Sequence, residues 1–124
     1  MIASAIWISS DEARSFRFTP EKVLEQHFKK SEHAHHTNAQ ASHHADAHED
    51  DKFFKVVADA LVKESPDRFL LMGSGAAKTH FKTYLGKNHP RSTVVGVEST
   101  DKMSDKEMID FAHTFFKKID GLQG

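Results

Sequence analysis

The first thirty residues alternate between hydrophobic and polar positions with a period of two. Ile6 and Ile8 alternate with Ala5 and Trp7, and Phe16 and Phe18 share one side of the next segment. This period places alternate side chains on opposite faces of a β-strand. Short turn segments separate the runs, so the pattern predicts an antiparallel meander of three strands. The predicted strands cover residues 4–9, 13–18 and 23–28.

Helical periodicity replaces this alternation from Phe53 onward. Phe53, Val57 and Leu61 fall on one helical stripe, and two later stripes are centred on Phe81 and Met108. Short apolar runs at residues 68–72 and 93–97 separate the stripes and are typical of strands that are buried on both faces. A Ser-Asp-Lys-Glu capping box at 104–107 predicts the start of the last helix.

This order of elements predicts an α/β fold with a five-stranded mixed sheet flanked by three helices. Two helices lie between strands, and such strand–helix–strand connections produce parallel strand pairs. The 124 residues correspond to one domain, because domains typically hold about 100–150 residues. We therefore expect a single domain that covers residues 1–124.

The segment 29–51 follows neither period and is predicted to be a long loop. It is rich in polar residues, and seven of the ten His residues of the chain fall between His27 and His48. Loops of this length inside a small domain usually have a function or are disordered. The segment is therefore a candidate functional region.

Composition excludes several classes of function. The chain has no Cys, which excludes disulfides, cysteine-based zinc fingers, iron–sulfur clusters and thiol nucleophiles. The net charge is −1, so total charge gives no sign of nucleic-acid binding. No apolar run approaches the ~20 residues that cross a membrane. The first residues lack the basic start of a signal peptide, so we expect a cytoplasmic protein without a membrane partner.

The imidazole groups of the His-rich segment suit zinc, nickel or copper. Their spacing does not match an ordered ligand frame, and a solvated loop with no metal explains the same residues. A metal-binding protein is therefore one alternative function. The candidate ligands are His33, His35, His36, His43, His44 and His48.

Two further features have a possible chemistry and a plain structural explanation. The glycine-rich turn at residues 73–78 could bind a phosphate through backbone N–H groups, or it could simply allow a tight strand-to-helix turn. Lys29, Lys30, Lys52 and Lys55 flank the His-rich segment, where they could bind a phosphate backbone or be ordinary surface charges. The first predicted strand holds no carboxylate, which argues against a two-metal nuclease.

Four segments of the chain form a series that resembles a known family. They are residues 38–42, 53–61, 69–81 and 94–98. It looks like the middle domain of archaeal and eukaryotic class-1 peptide-chain release factors. It is also similar to small single-domain bacterial proteins called "translational machinery protein". The resemblance implies a ribonuclease-H-like sheet of strand order 3-2-1-4-5, in which strand 2 is antiparallel to the others.

In release factors the long loop before the first helix carries a Gly-Gly-Gln motif. Only Gln40 matches it here, because Asn38 and Ala39 occupy the glycine positions. This departure argues against peptidyl-tRNA hydrolysis. The resemblance then implies a non-enzymatic translation-associated protein that binds the ribosome or structured RNA. Its expected contacts are Lys29, Lys30, Gln40, Lys52 and Lys55. A homodimeric scaffold, joined through an exposed edge strand, is the third interpretation.

Overall fold

The computed structural model describes residues 3–30, 42–63 and 68–123. These residues form five strands and three helices, in the order that the sequence predicts. The strands are β1 (Ala3–Ile8), β2 (Glu12–Phe18), β3 (Val23–Lys29), β4 (Arg68–Gly73) and β5 (Val94–Ser99). The helices are α1 (Ser42–Val62), α2 (Ala77–Asn88) and α3 (Asp105–Gln123).

The strands form one sheet of order β3-β2-β1-β4-β5. Strand β2 pairs antiparallel with β1 and β3, while β1 pairs parallel with β4 and β4 with β5. Only β2 therefore runs against the other four strands of the sheet. The predicted α/β class and strand order are confirmed.

The prediction of a loop over residues 29–51 is wrong for the second half of this range, because α1 begins at Ser42. His43, His44 and His48 therefore lie in a helix instead of a loop. The first turns of α1 carry no apolar stripe, so hydrophobic periodicity could not locate them. Ala45 and Ala47 have high intrinsic helix propensity. Because the backbone hydrogen bonds of a helix join residues four positions apart, such a segment can be helical without a hydrophobic face.

Two hydrophobic clusters cover the two faces of the sheet. On one face Ile6, Ile8 and Leu71 pack in a cluster with residues of α1 and α2. On the other face Trp7, Phe16 and further strand residues pack with Met108, Ala112 and Phe116 of α3. The period-two alternation of β1 thus divides Ile6 and Ile8 from Trp7, as the sequence predicts. Burial of apolar surface on both faces stabilises the sheet.

The capping box predicts the start of α3 correctly. The backbone N–H of Glu107 donates to Ser104 Oγ at 3.2 Å, and the backbone N–H of Ser104 donates to Glu107 Oε1 at 3.0 Å. These bonds satisfy backbone donors that the first turn of a helix leaves free. The backbone N–H of Ser104, and after it the Ser104 hydroxyl, also interact with the Glu107 carboxyl and lower its pKa, because they favour its charged form. The cap fixes Asp105 as the first residue of α3.

Candidate functional site

Four strands end at the same edge of the sheet. Because β1, β3, β4 and β5 are parallel, their last residues Ile8, Lys29, Gly73 and Ser99 lie along one edge, with the starts of α2 and α3 beyond it. In open α/β sheets, ligands commonly bind outside the carboxyl ends of the strands. This carboxyl edge is therefore the candidate location of a functional site.

Gly73 sets the shape of the edge between β1 and β4. A Cβ atom at this position would collide with the backbone carbonyl oxygen of Ile8, so the close approach of the two strands requires glycine. The Gly73 carbonyl accepts a hydrogen bond from the backbone N–H of Thr100 at 2.9 Å. The first glycine of the 73–78 turn therefore has a packing role.

A cleft of about 320 Å³ opens beside this turn. Its lining includes Ser9 and Ser10 after β1, the 74–77 turn, Phe54 and His80. Lys78 points its ammonium group back to the turn, where Nζ donates to the Gly75 carbonyl oxygen at 2.6 Å. This lysine is largely buried and its ammonium group is bonded to the backbone of the turn. Its charge therefore stabilises the turn and is less available to a ligand. Phosphate binding by the turn stays a prediction.

A network of charged side chains occupies the other part of the carboxyl edge, on the face covered by α3. Arg14 of β2 donates to Glu12 Oε1 at 3.2 Å and to Asp105 Oδ1 at 2.8 Å. Lys102 Nζ donates to Glu12 Oε2 at 2.8 Å. His27 of β3 bonds to Asp105 Oδ2 at 3.1 Å. The network thus joins the β2–β3 hairpin to the start of α3.

Both carboxyl groups of this network are shifted toward the charged form. The hydrogen bond from Lys102 lowers the pKa of Glu12, and Arg14 adds to the effect against a smaller opposing effect of burial. Burial opposes ionisation of Asp105, but the hydrogen bond from Arg14 and the charges of His27 and Arg14 together lower its pKa. Opposite charges at such distances favour the ionised form. Glu12 and Asp105 are therefore carboxylates at neutral pH.

Sequence inspection did not identify this network, because its longest link joins residues 91 positions apart, Arg14 and Asp105. Two local signals could have indicated it. The hairpin register places Arg14 opposite His27, and the capping box places Asp105 at a helix start. Neither signal gives the position of α3 over the hairpin.

The predicted RNA-contacting lysines lie on two elements. Lys29 ends β3 with an exposed side chain, and the backbone N–H of half-buried Lys30 donates to the Asp11 carbonyl oxygen at 2.8 Å. Lys52 and Lys55 are exposed on α1. Lys55 Nζ forms an ion pair with Asp59 Oδ2 at 2.7 Å, which raises the pKa of Lys55 through the hydrogen bond and the charge of Asp59. The fifth predicted contact, Gln40, lies outside the described residues.

The predicted metal ligands also divide into two groups. Residues 44 and 48 are four positions apart within α1, which is about one helical turn. Residues 43 and 48 are five apart, so the helix does not place them on one face. His33, His35 and His36 lie outside the described residues. Metal binding by this set of six His stays a prediction.

Comparison with known proteins identifies the fold. No protein-family model and no curated protein matches the sequence. Among solved structures, Pelota of Archaeoglobus fulgidus superposes with a TM-score of 0.65 and 16% identity, over 91% of this chain and 31% of Pelota. The archaeal translation termination factor aRF1 gives a TM-score of 0.52 and 11% identity, over 96% of this chain and 40% of aRF1.

A viral resolvase shares the same architecture. The Fowlpox virus resolvase, solved with Holliday junction DNA, has a TM-score of 0.52 and 13% identity, over 98% of this chain and 77% of the resolvase. These likenesses confirm the ribonuclease-H-like fold and support the resemblance to a domain of translation termination factors. The chain spans about a third of the length of Pelota. None of the helices in the described ranges is long and apolar enough to cross a membrane.

Proposed function

We propose that this protein is a non-enzymatic, translation-associated protein that binds the ribosome or structured RNA. The observation that carries the proposal is the match of nine-tenths of the chain to about a third of Pelota, together with the match to a translation termination factor. A fold alone does not fix a function, so the proposal also depends on the charges at the surface.

Lys29 and Lys52 are the strongest candidates for phosphate contacts. Both side chains are exposed, and within the described ranges neither has an ion pair or hydrogen bond. Lys55 differs, because Asp59 already neutralises its charge. An RNA phosphate would bind more favourably to an uncompensated lysine than to a lysine that must first break its ion pair with a carboxylate. Lys30, which directly precedes the segment 31–41, and Gln40, which belongs to that segment, complete the proposed contact set.

The nuclease alternative has less support from the strands themselves. A two-metal nuclease on this fold needs a carboxylate on the first strand of the sheet, at the carboxyl edge. Strand β1 has the sequence ASAIWI and its parallel neighbour β4 has RFLLMG, and neither contains an acid. The missing Gly-Gly-Gln motif likewise argues against a release-factor hydrolase. Both observations favour a binding role.

We propose that the chain is related to the small bacterial "translational machinery protein" group, whose members have this domain alone. Self-association is a separate proposal, which light scattering tests. Strand β3 is an edge strand of the sheet and four of its seven residues are exposed, so a second copy could pair with it.

Co-sedimentation with purified ribosomes tests the proposal. The full chain is compared with a Lys29→Gln/Lys52→Gln double variant at low and at moderate salt. A matched control, Lys117→Gln/Lys118→Gln, removes the same charge from exposed positions near the end of α3, close to the opposite edge of the sheet. We expect the first variant to weaken pelleting and to lower the salt dependence of log Kd by roughly 0.7–0.9 per lost phosphate contact.

The control separates specific from general attraction. If both double variants reduce pelleting equally, the lysines act only through total charge. If the wild-type chain pellets at low salt and not at moderate salt, or never pellets, the proposed ribosome binding is wrong. Structured RNA without the ribosome is then measured in the same buffers by filter binding.

A further inference from the structure

Three side chains with metal-binding atoms meet at the outer end of the charged network. The ligand atoms of Glu25, His27 and Asp105 all lie within 4.8 Å of one another. We propose that these three residues bind a divalent transition-metal ion, of which zinc is the best match. This site is separate from the six His predicted from the sequence, and it does not depend on the proposed RNA binding.

The fold brings these residues together from two elements. Glu25 and His27 are two apart on β3, so their side chains lie on the same face of the sheet. Asp105 is the first residue of α3, which packs over that face. The capping box of Ser104 and Glu107 fixes this helix start. The strand therefore supplies two ligands and the helix supplies the third.

Asp105 is already oriented for this role. Arg14 holds its Oδ1 atom at 2.8 Å, and its Oδ2 atom faces His27 Nε2 at 3.1 Å. Arg14 in turn is held by Glu12, and Glu12 by Lys102. Outer partners of this kind orient a ligating carboxylate and restrict it to one metal-facing oxygen. A metal ion between these two atoms would replace the direct contact of His27 Nε2 with Asp105 Oδ2.

The charges in the cluster leave one carboxylate unmatched. Arg14 and Lys102 neutralise Glu12 and Asp105 through the contacts above. Glu25 is exposed and has no ion pair or hydrogen bond in the part of the chain that the structure describes. A divalent ion between Glu25, His27 and Asp105 would balance this negative charge. The nearby Arg14 opposes cation binding, which predicts moderate affinity.

The distances require only a small adjustment. Zinc bonds of about 2.0–2.2 Å in tetrahedral geometry place ligand atoms about 3.4 Å apart. The contact between His27 and Asp105 already has this spacing, at 3.1 Å. Glu25 is the most adjustable ligand, because its exposed side chain can change rotamer freely. One imidazole and two carboxylates with water as a fourth ligand is a donor set that zinc accepts.

An ion at this site would tie the edge strand β3 to α3. Binding only to the folded state stabilises it by RT ln(1 + [L]/Kd), so zinc should raise the melting temperature. We therefore expect zinc to stabilise the fold, and this effect can be measured without the ribosome. The ion would also reinforce the contact between His27 and Asp105 that already joins β3 to α3, besides the pairing of β3 with β2.

Zinc titration by calorimetry, with thermal unfolding in parallel, tests the proposal. All proteins carry glutamine at the six predicted ligands of the His-rich segment, so that those groups do not bind zinc. In this background Glu25→Gln and His27→Gln are compared with Glu21→Gln and His113→Gln, which change an exposed acid and an exposed His elsewhere. Glu25→Gln removes no described contact, so its fold should be unchanged by circular dichroism.

We expect one equivalent of zinc to bind the background protein and to raise its melting temperature. Glu25→Gln and His27→Gln should each weaken zinc binding at least about tenfold, since even outer partners of metal ligands cost 10–100-fold. The Glu21 and His113 variants should bind as the background does. The proposal is overturned if binding is not saturable at one equivalent, or if Glu25→Gln and His27→Gln bind zinc as tightly as their controls.

Discussion

The central pair of strands and the outer strand β3 belong to one sheet but differ in burial and chemistry. All six residues of β1 and five of the six in β4 are buried, and their sequences contain almost only small or apolar side chains. No residue of β3 is fully buried, and four of its seven are exposed. Helices cover the central pair on both faces, whereas β3 lies at the edge of the sheet.

This difference separates the part of the sheet that stabilises the fold from the part available for binding. Buried apolar strands have no polar group to offer a ligand, and every change there alters packing. The outer strand can hold Glu25, His27 and Lys29 because their polar groups stay in contact with water. Candidate chemistry therefore concentrates where burial is least.

The largest expected effect is in the central pair. Leu71 is fully buried in β4 and packs in the cluster under α1 and α2. Leu71→Ala should lower the free energy of unfolding by about 2–5 kcal/mol, through lost burial and the cavity that remains. Urea denaturation followed by circular dichroism measures it. A loss below 1 kcal/mol would show that the central strands are less tightly packed than described.

The contact between β1 and β4 should also be sensitive to one added methyl group. Gly73→Ala places a Cβ against the backbone carbonyl oxygen of Ile8, which cannot move aside like a side chain. We expect a loss of ~1–3 kcal/mol, as for other overpacked sites. Gly75→Ala is the matched control, since a Cβ there meets nothing within 4 Å. Equal effects of the two changes would contradict the close approach.

The cap of α3 should contribute an intermediate amount. Ser104→Ala removes the hydroxyl that accepts the Glu107 backbone N–H, which should cost about 1 kcal/mol. Ser92→Ala, at a half-buried loop position outside any helix cap, is a suitable control. Urea denaturation of both variants at pH 7 gives the comparison. An unchanged stability in Ser104→Ala would mean that the capping box does not hold the helix start.

The same cap predicts a pH dependence. The pKa of Glu107 lies below its ordinary value of 4.5 in the folded protein. The stability that its carboxylate supplies is therefore complete above that value and is lost as the pH falls through the lower folded pKa. Wild type should exceed Glu107→Gln in stability at pH 7, and the gap should shrink at pH 3. A gap that is constant with pH would contradict the lowered pKa.

The smallest expected effect is in β3. Gln26 is exposed on the outer strand, so Gln26→Ala should change the free energy of unfolding by less than about 0.5 kcal/mol. Comparison with Leu71→Ala then shows how much more a substitution lowers the free energy of unfolding in the central strands than in the outer strand. A large loss in Gln26→Ala would show that the outer strand contributes to stability as much as the central pair does.

Much of the fold could be predicted because it depends on local periodicity. The alternation of Ile6, Trp7 and Ile8 gave β1 and both of its faces, and the Ser104–Glu107 box located α3. The start of α1 at Ser42 could not be predicted in this way, because a helix turn made of polar residues and alanine has no hydrophobic face to detect. The strand order 3-2-1-4-5 came from the family resemblance.

The candidate sites were less predictable. Lys29 and Lys52 could be selected by their position beside a polar segment. Lys55 and Asp59 are four positions apart on the predicted helix, a spacing that could have indicated their ion pair. The cluster of Glu25, His27 and Asp105 needs strand register and helix placement together. A pattern of neighbouring residues cannot show that residues so far apart in the chain are in contact. Sequence patterns therefore predict secondary structure better than they predict sites.

The central position of β1 has a consequence for synthesis of the chain. Residues 3–29 can form their antiparallel hairpins early, but the other edge of β1 pairs only with β4. Between synthesis of residue 29 and residue 73 the translating ribosome needs roughly 2–10 s at about 5–20 residues per second. Throughout that interval a nascent meander presents an apolar, unpaired strand edge, which is a site for chaperone capture or premature association between neighbouring chains.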